Sequence, residues 1–176
     1  DIVVDVRPTT GDVLFKTNLV DQVKFMYAWI GSNYTKVERT ATWDYLQAFV
    51  DEARKQGLRI HAAINTFVGG NQIDGGTGLL YRDQSKAEWA TQMNMQVGIT
   101  SVMNTSESTK FFNPAHPEVQ TFLCDLLKDL AGYDLDGIFL DRGRFLNLQA
   151  DFSEESRKQF EEYMGGIRIQ NYPNDI

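Results

Sequence analysis

The chain has 176 residues, and 17 Lys and Arg against 24 Asp and Glu give it a formal net charge of −7. That sign and size argue against a surface that tracks nucleic-acid phosphates or anionic lipid. With 42% hydrophobic and 12% aromatic residues the composition is that of a globular chain with one sizeable core, not of a disordered one, and no apolar run approaches the roughly 20 residues of a membrane helix.

The chain opens directly on Asp-Ile-Val-Val-Asp-Val-Arg-Pro, which reads as the inside of a buried strand and hence as a mature or trimmed segment. Thr9 to Thr40 follows as a long loop, in which Lys24-Phe-Met-Tyr-Ala-Trp-Ile30 is the only extended apolar run and marks a short strand or a turn of helix. The first well-marked helix comes next. Thr42 is its expected N-cap, Asp44 suits the positive end of the dipole, and Leu46, Phe49, Val50 and Ala53 recur at helical spacing until Gly57 stops it. Leu58 to Asn65 reads as a strand, Gln84 to Met93 as a short helix and Gly98 to Met103 as another strand. The stretch from Phe67 to Phe112 is too long for an ordinary connection, so it is expected to carry something functional or to cover something. The clearest helix runs from Pro117 to Ala131, with Val119, Phe122, Leu123, Leu126, Leu127 and Leu130 as its apolar stripe. The lone cysteine, Cys124, is assigned to that buried stripe as a small core residue. Asp136 to Asp141 is strand-like, and a last helix is expected from Ser153 to Gly165. Strands alternating with amphipathic helices point to βα units and a parallel sheet.

Strand parity adds a functional signal. Alternate residues of a strand face opposite sides, so Ile2, Val4 and Val6 oppose Val3, Asp5 and Arg7. In the next strand Leu58, Ile60, Ala62 and Ile64 oppose Arg59, His61, Ala63 and Asn65, and in the last Ile138 and Leu140 oppose Gly137, Phe139 and Asp141. One face is aliphatic throughout. The other is small or polar, with Arg7, Asn65 and Asp141 at the C-terminal ends, as on the inside of a (β/α) barrel below its active site. An open doubly wound sheet would also fit, but neither Gly69-Gly-Asn-Gln nor Gly75-Gly-Thr-Gly matches a phosphate-binding turn.

Asp141 is the best candidate for chemistry, with Arg142 and Arg144 close enough in sequence to favour its ionised form. The same residues read alternatively as an ion pair that ties down a loop. His61 is expected to face inward below Asn65, either in the site or hydrogen-bonded to Asp5, and His116 stands just before Pro117, either in the site or as a helix cap. A metal site from His61, His116 and Asp141 lacks any closely spaced ligand pair; no metal or other cofactor is expected. There is no Gly-x-Ser-x-Gly elbow. Trp29, Tyr34, Trp43, Tyr81 and Trp89 include candidate sugar-stacking platforms as well as packing residues.

Several blocks of the chain resemble the glycosyl hydrolase-like family 10 proteins. They are Val6-Arg-Pro, Trp43-Asp-Tyr-Leu, Glu52 to Asn65, Phe112-Asn-Pro-Ala-His-Pro-Glu-Val and Asp134-Leu-Asp-Gly-Ile-Phe-Leu-Asp141, with Phe160-Glu-Glu-Tyr-Met-Gly and Gly166-Ile-Arg-Ile-Gln-Asn-Tyr-Pro at the end. The resemblance implies a TIM-barrel glycosidase fold, a carbohydrate substrate with bacterial cell-wall glycans among the candidates, and an exported, periplasmic or cell-surface bacterial protein. It also implies that Arg7, His61, Asn65, Asn113, His116 and Asp141 line the pocket; with Arg142 and Arg144 these are the expected substrate-binding residues around a catalytic Asp141. The chain departs from the family pattern at Arg142, where many members have a second aspartate, and at Thr66, where many have proline.

Hydrolysis of a glycoside normally uses two carboxyl groups, and only Asp141 is a firm candidate: Asp5 reads as inward but too deep, and Asp74 and Glu107 as loop residues. A closed barrel takes about 250 residues. The expectation is therefore a partial (β/α)8 barrel, a single catalytic-domain segment over 1–176 lacking the first and later strands, whose sheet edges need the rest of its own barrel or another chain. A non-catalytic glycan-binding barrel and, less well supported, a metal-assisted polysaccharide deacetylase are the alternatives.

Overall fold

A computed structural model describes residues 1–176. Three parallel strands form the central sheet: β1 (Ile2–Arg7), β4 (Ile60–Asn65) and β9 (Gly137–Asp141), in the order β1-β4-β9. Between β1 and β4 lie an antiparallel hairpin, β2 (Phe25–Ile30) and β3 (Asn33–Glu38), and helix α1 (Tyr45–Lys55). After β4 come β5 (Val68–Asn71), the short α2 (Leu79–Arg82), the β6 (Gln92–Met95) and β7 (Gly98–Ser101) hairpin, β8 (Thr109–Phe111) and helix α3 (Pro117–Leu130); α4 (Glu154–Tyr163) follows β9. Parallel neighbours need a crossover connection, and α1 and α3 lie in the two crossovers. The fold is α/β; its sheet has two open edges and closes no barrel.

Aliphatic parity decides which face is covered. Val4, Val6, Ile60, Ala62 and Ile64 are buried, packed in one cluster with Leu46, Val50 and Ala53 of α1 and with Val119, Phe122, Leu123, Leu126 and Leu130 of α3. Each fully buried aliphatic side chain there contributes about 1.5–3 kcal/mol. The α1 N-cap is Asp44 rather than Thr42: its Oδ1 accepts from the Gln47 amide at 3.1 Å, and its Oδ2 accepts from the Tyr133 hydroxyl at 2.7 Å. A carboxylate placed there meets both an orphan amide and the helix dipole. Cys124 is exposed, not buried. At about 100° per residue it falls on the side of the helix away from the stripe.

The long segment after β4 covers part of the molecule. Leu80, Trp89, Ala90, Met93, Val102 and Phe112 from it join the same core. Gln84–Trp89 forms only 3₁₀ turns, and 92–95 pairs with 98–101 as a hairpin, so the expected helix over 84–93 is replaced. Tight backbone contact there requires glycine: a side chain on Gly70 would run into the Thr77 carbonyl, and Gly78, at φ +81°, stacks directly on Gly69 and Gly70. The apolar run at Lys24–Ile30 is the strand β2, turned back through Gly31 at φ +63°. The primed turns that suit a two-residue hairpin loop need that left-handed backbone.

Candidate functional site

The opposite face of the sheet carries Val3, Asp5, His61, Ala63, Phe139 and Asp141, and no helix packs over it; Phe139 is 61% exposed. Asp141 ends β9 beside Asn65, its partner at the end of β4. Its carboxylate is exposed, and its Oδ1 accepts from the Arg142 amide at 2.7 Å. Arg142 has φ +48°, which a residue with a Cβ seldom adopts and which lifts the chain away from the strand just past the carboxylate. Neither arginine forms an ion pair with it. The Arg144 guanidinium instead donates to the carbonyls of Phe145 and Leu146, 3.0 and 2.7 Å away, so the expected cation beside Asp141 is turned onto its own loop.

Arg7 and Asn65 are also placed differently from expectation. Both are buried. The Arg7 guanidinium donates to the carbonyls of Asn65, Thr66 and Val68, while Asn65 Nδ2 donates to the Arg7 carbonyl at 2.9 Å. Burial pulls the Arg7 pKa down to about 10, against the opposing pull of Asp12 and Asp5. The register of β1 shifts between Asp5 and Arg7, and with that irregularity the inward parity ends before Arg7. A residue expected to touch ligand thus holds the β4 turn from behind. Asn113 is buried too: its Nδ2 donates to Ser153 Oγ and its Oδ1 accepts from the Ala115 amide, both at 2.9 Å, joining the turn before α3 to the start of α4. His116 is the N-cap of α3, its Nδ1 accepting from the Glu118 amide at 3.2 Å.

His61 lies at the N-terminal end of the sheet, paired with Gly137 and with its Nε2 3.7 Å from Asp1. Asp141 is four positions further along the strands, about 13 Å at the usual rise. His116 caps a helix that runs back from the C-terminal end. The two histidines therefore do not converge, and no group of three His, Cys, Asp or Glu side chains is arranged to hold a metal ion. This removes the ligand set on which a metal-assisted deacetylase depended.

Sequence reasoning set aside one residue that belongs here. Asp5 lies on the open face of β1 and lines a cavity of about 610 Å³ between the strand end and the β2–β3 hairpin. Its pKa is raised, first by partial burial and then by the negative charge of Asp141, against the lowering effects of the Arg7 amide and guanidinium. The Asp5 parity was the signal that could have found it; the depth of the cavity was not readable without the hairpin. Around the cavity stand Tyr27, Tyr34, Trp43 and Tyr45. Tyr34 stacks on Tyr27 and tilts against Trp29, each pair 5.3 Å apart, and Trp29 is 70% exposed. Asp74 accepts from Tyr27 Oη at 2.6 Å and pairs with Lys36 at 2.8 Å, tying the hairpin to the turn that follows β5. Of the other candidate platforms, Trp89 is buried in the core and Tyr81 packs on Gly76.

A parallel α/β sheet with carboxyl groups and an aromatic-rimmed cavity toward its C-terminal end has the layout in which such folds place a ligand site. The chain belongs to the glycosyl hydrolase-like 10 family, whose model matches residues 2–171. It is similar to an S-layer-related protein of Niallia circulans, with 30% identity over 183 residues that cover 99% of this chain and 11% of that protein. The chain thus spans a small part of the length of this relative.

Proposed function

We propose that the chain is a segment of a (β/α)-barrel glycosidase that cleaves a polysaccharide, with bacterial cell-wall glycan as the substrate class and Asp141 as a catalytic carboxylate. The single observation that carries this reading is the position of Asp141: an exposed carboxylate at the C-terminal end of a parallel strand, on the helix-free face that also holds the Asp5 cavity. Membership of the family supports the same chemistry. In this reading residues 1–176 supply early strands of a single barrel domain, and the remaining strands, or another chain, complete its edges. Arg7, Asn65 and Asn113 act as positioning residues, holding the turns that present the site. Arg142 lies beside the carboxylate and is the arginine available to a sugar hydroxyl; His116 and Arg144 serve the loops around it. The surface-layer relative supports a place at the bacterial cell surface.

The test is the full-length protein incubated with purified peptidoglycan and a panel of plant and bacterial polysaccharides, the products read by mass spectrometry. Asp141→Asn is expected to abolish product release with an unchanged melting curve; undiminished turnover would overturn the assignment. A non-catalytic glycan-binding surface is the second reading, favoured by the exposed Trp29–Tyr34–Tyr27 stack, since aromatic faces bind sugars whether or not a bond is cut. Under it, Asp141→Asn changes affinity and the unmodified protein yields no product from any glycan.

A further inference from the structure

Glycoside hydrolysis uses a proton donor as well as a base or nucleophile, so the reading above leaves the partner of Asp141 to be found. We propose that Asp5 is that partner: the carboxyl group that protonates the glycosidic oxygen, facing Asp141 across β4 from the floor of the hairpin cavity. The inference rests on the glycosidase reading and deepens it.

The register places the two groups. Asp5 pairs with Ala63 and Ala63 with Phe139, and Asp141 is two residues beyond Phe139 on the same face. Two strand spacings of about 4.8 Å and a rise of about 6.6 Å along β9 put the Cα atoms about 12 Å apart. That gap accommodates the wider class of carboxyl pairs, about 6.5–9.5 Å apart, which leaves room for a water. The expected outcome is therefore inversion. Asp5 gives its proton to the glycosidic oxygen as the bond from C1 to that oxygen breaks, with the bonding pair staying on oxygen. The Asp141 carboxylate takes a proton from the water whose oxygen forms the new bond to C1. Two saccharides leave, and exchange with solvent returns a proton to Asp5 and removes one from Asp141.

The surroundings fit the donor role. Partial burial in the cavity and the charge of Asp141 both favour the protonated form of Asp5, whereas the Arg7 amide, 3.2 Å from Oδ1, and the Arg7 guanidinium favour the ionised one; the first pair prevails. From the elements packed around it, the cavity also presents Glu38 and Arg39 at the end of β3, Tyr27 and Tyr34 of the hairpin, and Tyr45 of α1. A sugar seated on Tyr27 and Tyr34 would lie in the cavity that Asp5 lines.

The experiment compares two probes on the full-length protein: purified peptidoglycan, whose leaving group needs a proton, and the dinitrophenyl glycoside of an N-acetylglucosamine trimer, whose leaving group does not. Asp5→Asn is expected to slow peptidoglycan cleavage by about 100-fold or more, the ordinary worth of a general acid. Hydrolysis of the dinitrophenyl glycoside should stay within about tenfold of the unmodified protein, because a phenolate that leaves readily as an anion needs no general acid. The alkaline limb of the pH profile should vanish, because raising the pH through the Asp5 pKa removes the proton it donates. A loss below about tenfold on peptidoglycan, or equal losses on both probes, overturns the role of Asp5. Should Asp141→Asn be inactive while Asp5→Asn is unimpaired, the glycosidase reading stands and this inference alone falls. If the unmodified protein cleaves neither probe, both fall together.

Discussion

Arg7 shows how a single side chain can look functional in sequence and be architectural in space. At the end of a strand, in a motif block, it carries the chemistry of a sugar or carboxylate ligand; in the fold its guanidinium fans across three carbonyls of the β4 turn. Buried carbonyls left without donors are costly, and a fork of donors is what lysine lacks. Arg7→Met should therefore lower the unfolding free energy by about 1–3 kcal/mol in urea titration, with Arg7→Lys only partly restoring it. A loss under about 1 kcal/mol would mean that those carbonyls find other partners. Asp5 is the reverse case. It looked too deep for chemistry because a strand seen alone has no cavity above it, and it is the residue that the hairpin converts into a cavity floor.

At the scale of elements, helix positions were legible because their apolar stripes meet the sheet at regular spacing, as Leu46, Val50 and Ala53 do in α1 and Val119, Phe122, Leu123, Leu126 and Leu130 in α3. The start of α1 was not. Thr42 and Asp44 are both good caps, and the choice falls to Asp44 because Tyr133, at the far end of the α3 crossover, donates to its second carboxylate oxygen. Tyr133 in turn accepts from the Lys16 amide at 2.8 Å, and burial pushes its own pKa up to about 12. Asp44→Ala should cost about 1–2 kcal/mol in thermal or urea unfolding, since it removes the cap and strands the hydroxyl together. Asp44→Asn, which keeps both acceptor geometries in part, should lose less than half of that. Equal losses for the two variants would show that charge, not the cap, is what matters. The segment from Phe67 to Phe112 was harder still. Its short strands and 3₁₀ turns bury single residues such as Trp89 and Val102 without a repeating stripe, so no period announces them.

The whole molecule exposes what a closed architecture would hide. Both edges of the sheet are free, and Val3, Phe139, Leu140 and Leu148 are accessible to solvent. Free strand edges beside exposed apolar residues invite pairing with another chain. The 176-residue chain on its own is expected to bind an apolar dye such as ANS and to self-associate as concentration rises in sedimentation velocity runs, and Phe139→Lys should reduce both. A chain that stays monomeric at about 100 μM with no dye bound would show that this face is not adhesive.

Sequence by itself determined the alternation of strands and helices around the central sheet, the buried aliphatic faces of β1 and β4, the two crossover helices and the family, because each of these is written in local periodicity or in contiguous blocks of residues; in β9 Leu140 of the aliphatic set is 52% exposed. The position of Asp141 at a strand end followed from the same periodicity. Only the tertiary structure decided which polar residues face solvent at the site and which hold the turns behind it. That choice depends on a register shift in β1, on carbonyls contributed by residues 58 to 61 positions away from Arg7, and on a hairpin that walls the cavity beside Asp5. None of these is local, so Asp5 became visible as the counterpart of Asp141 only when the strands were set side by side.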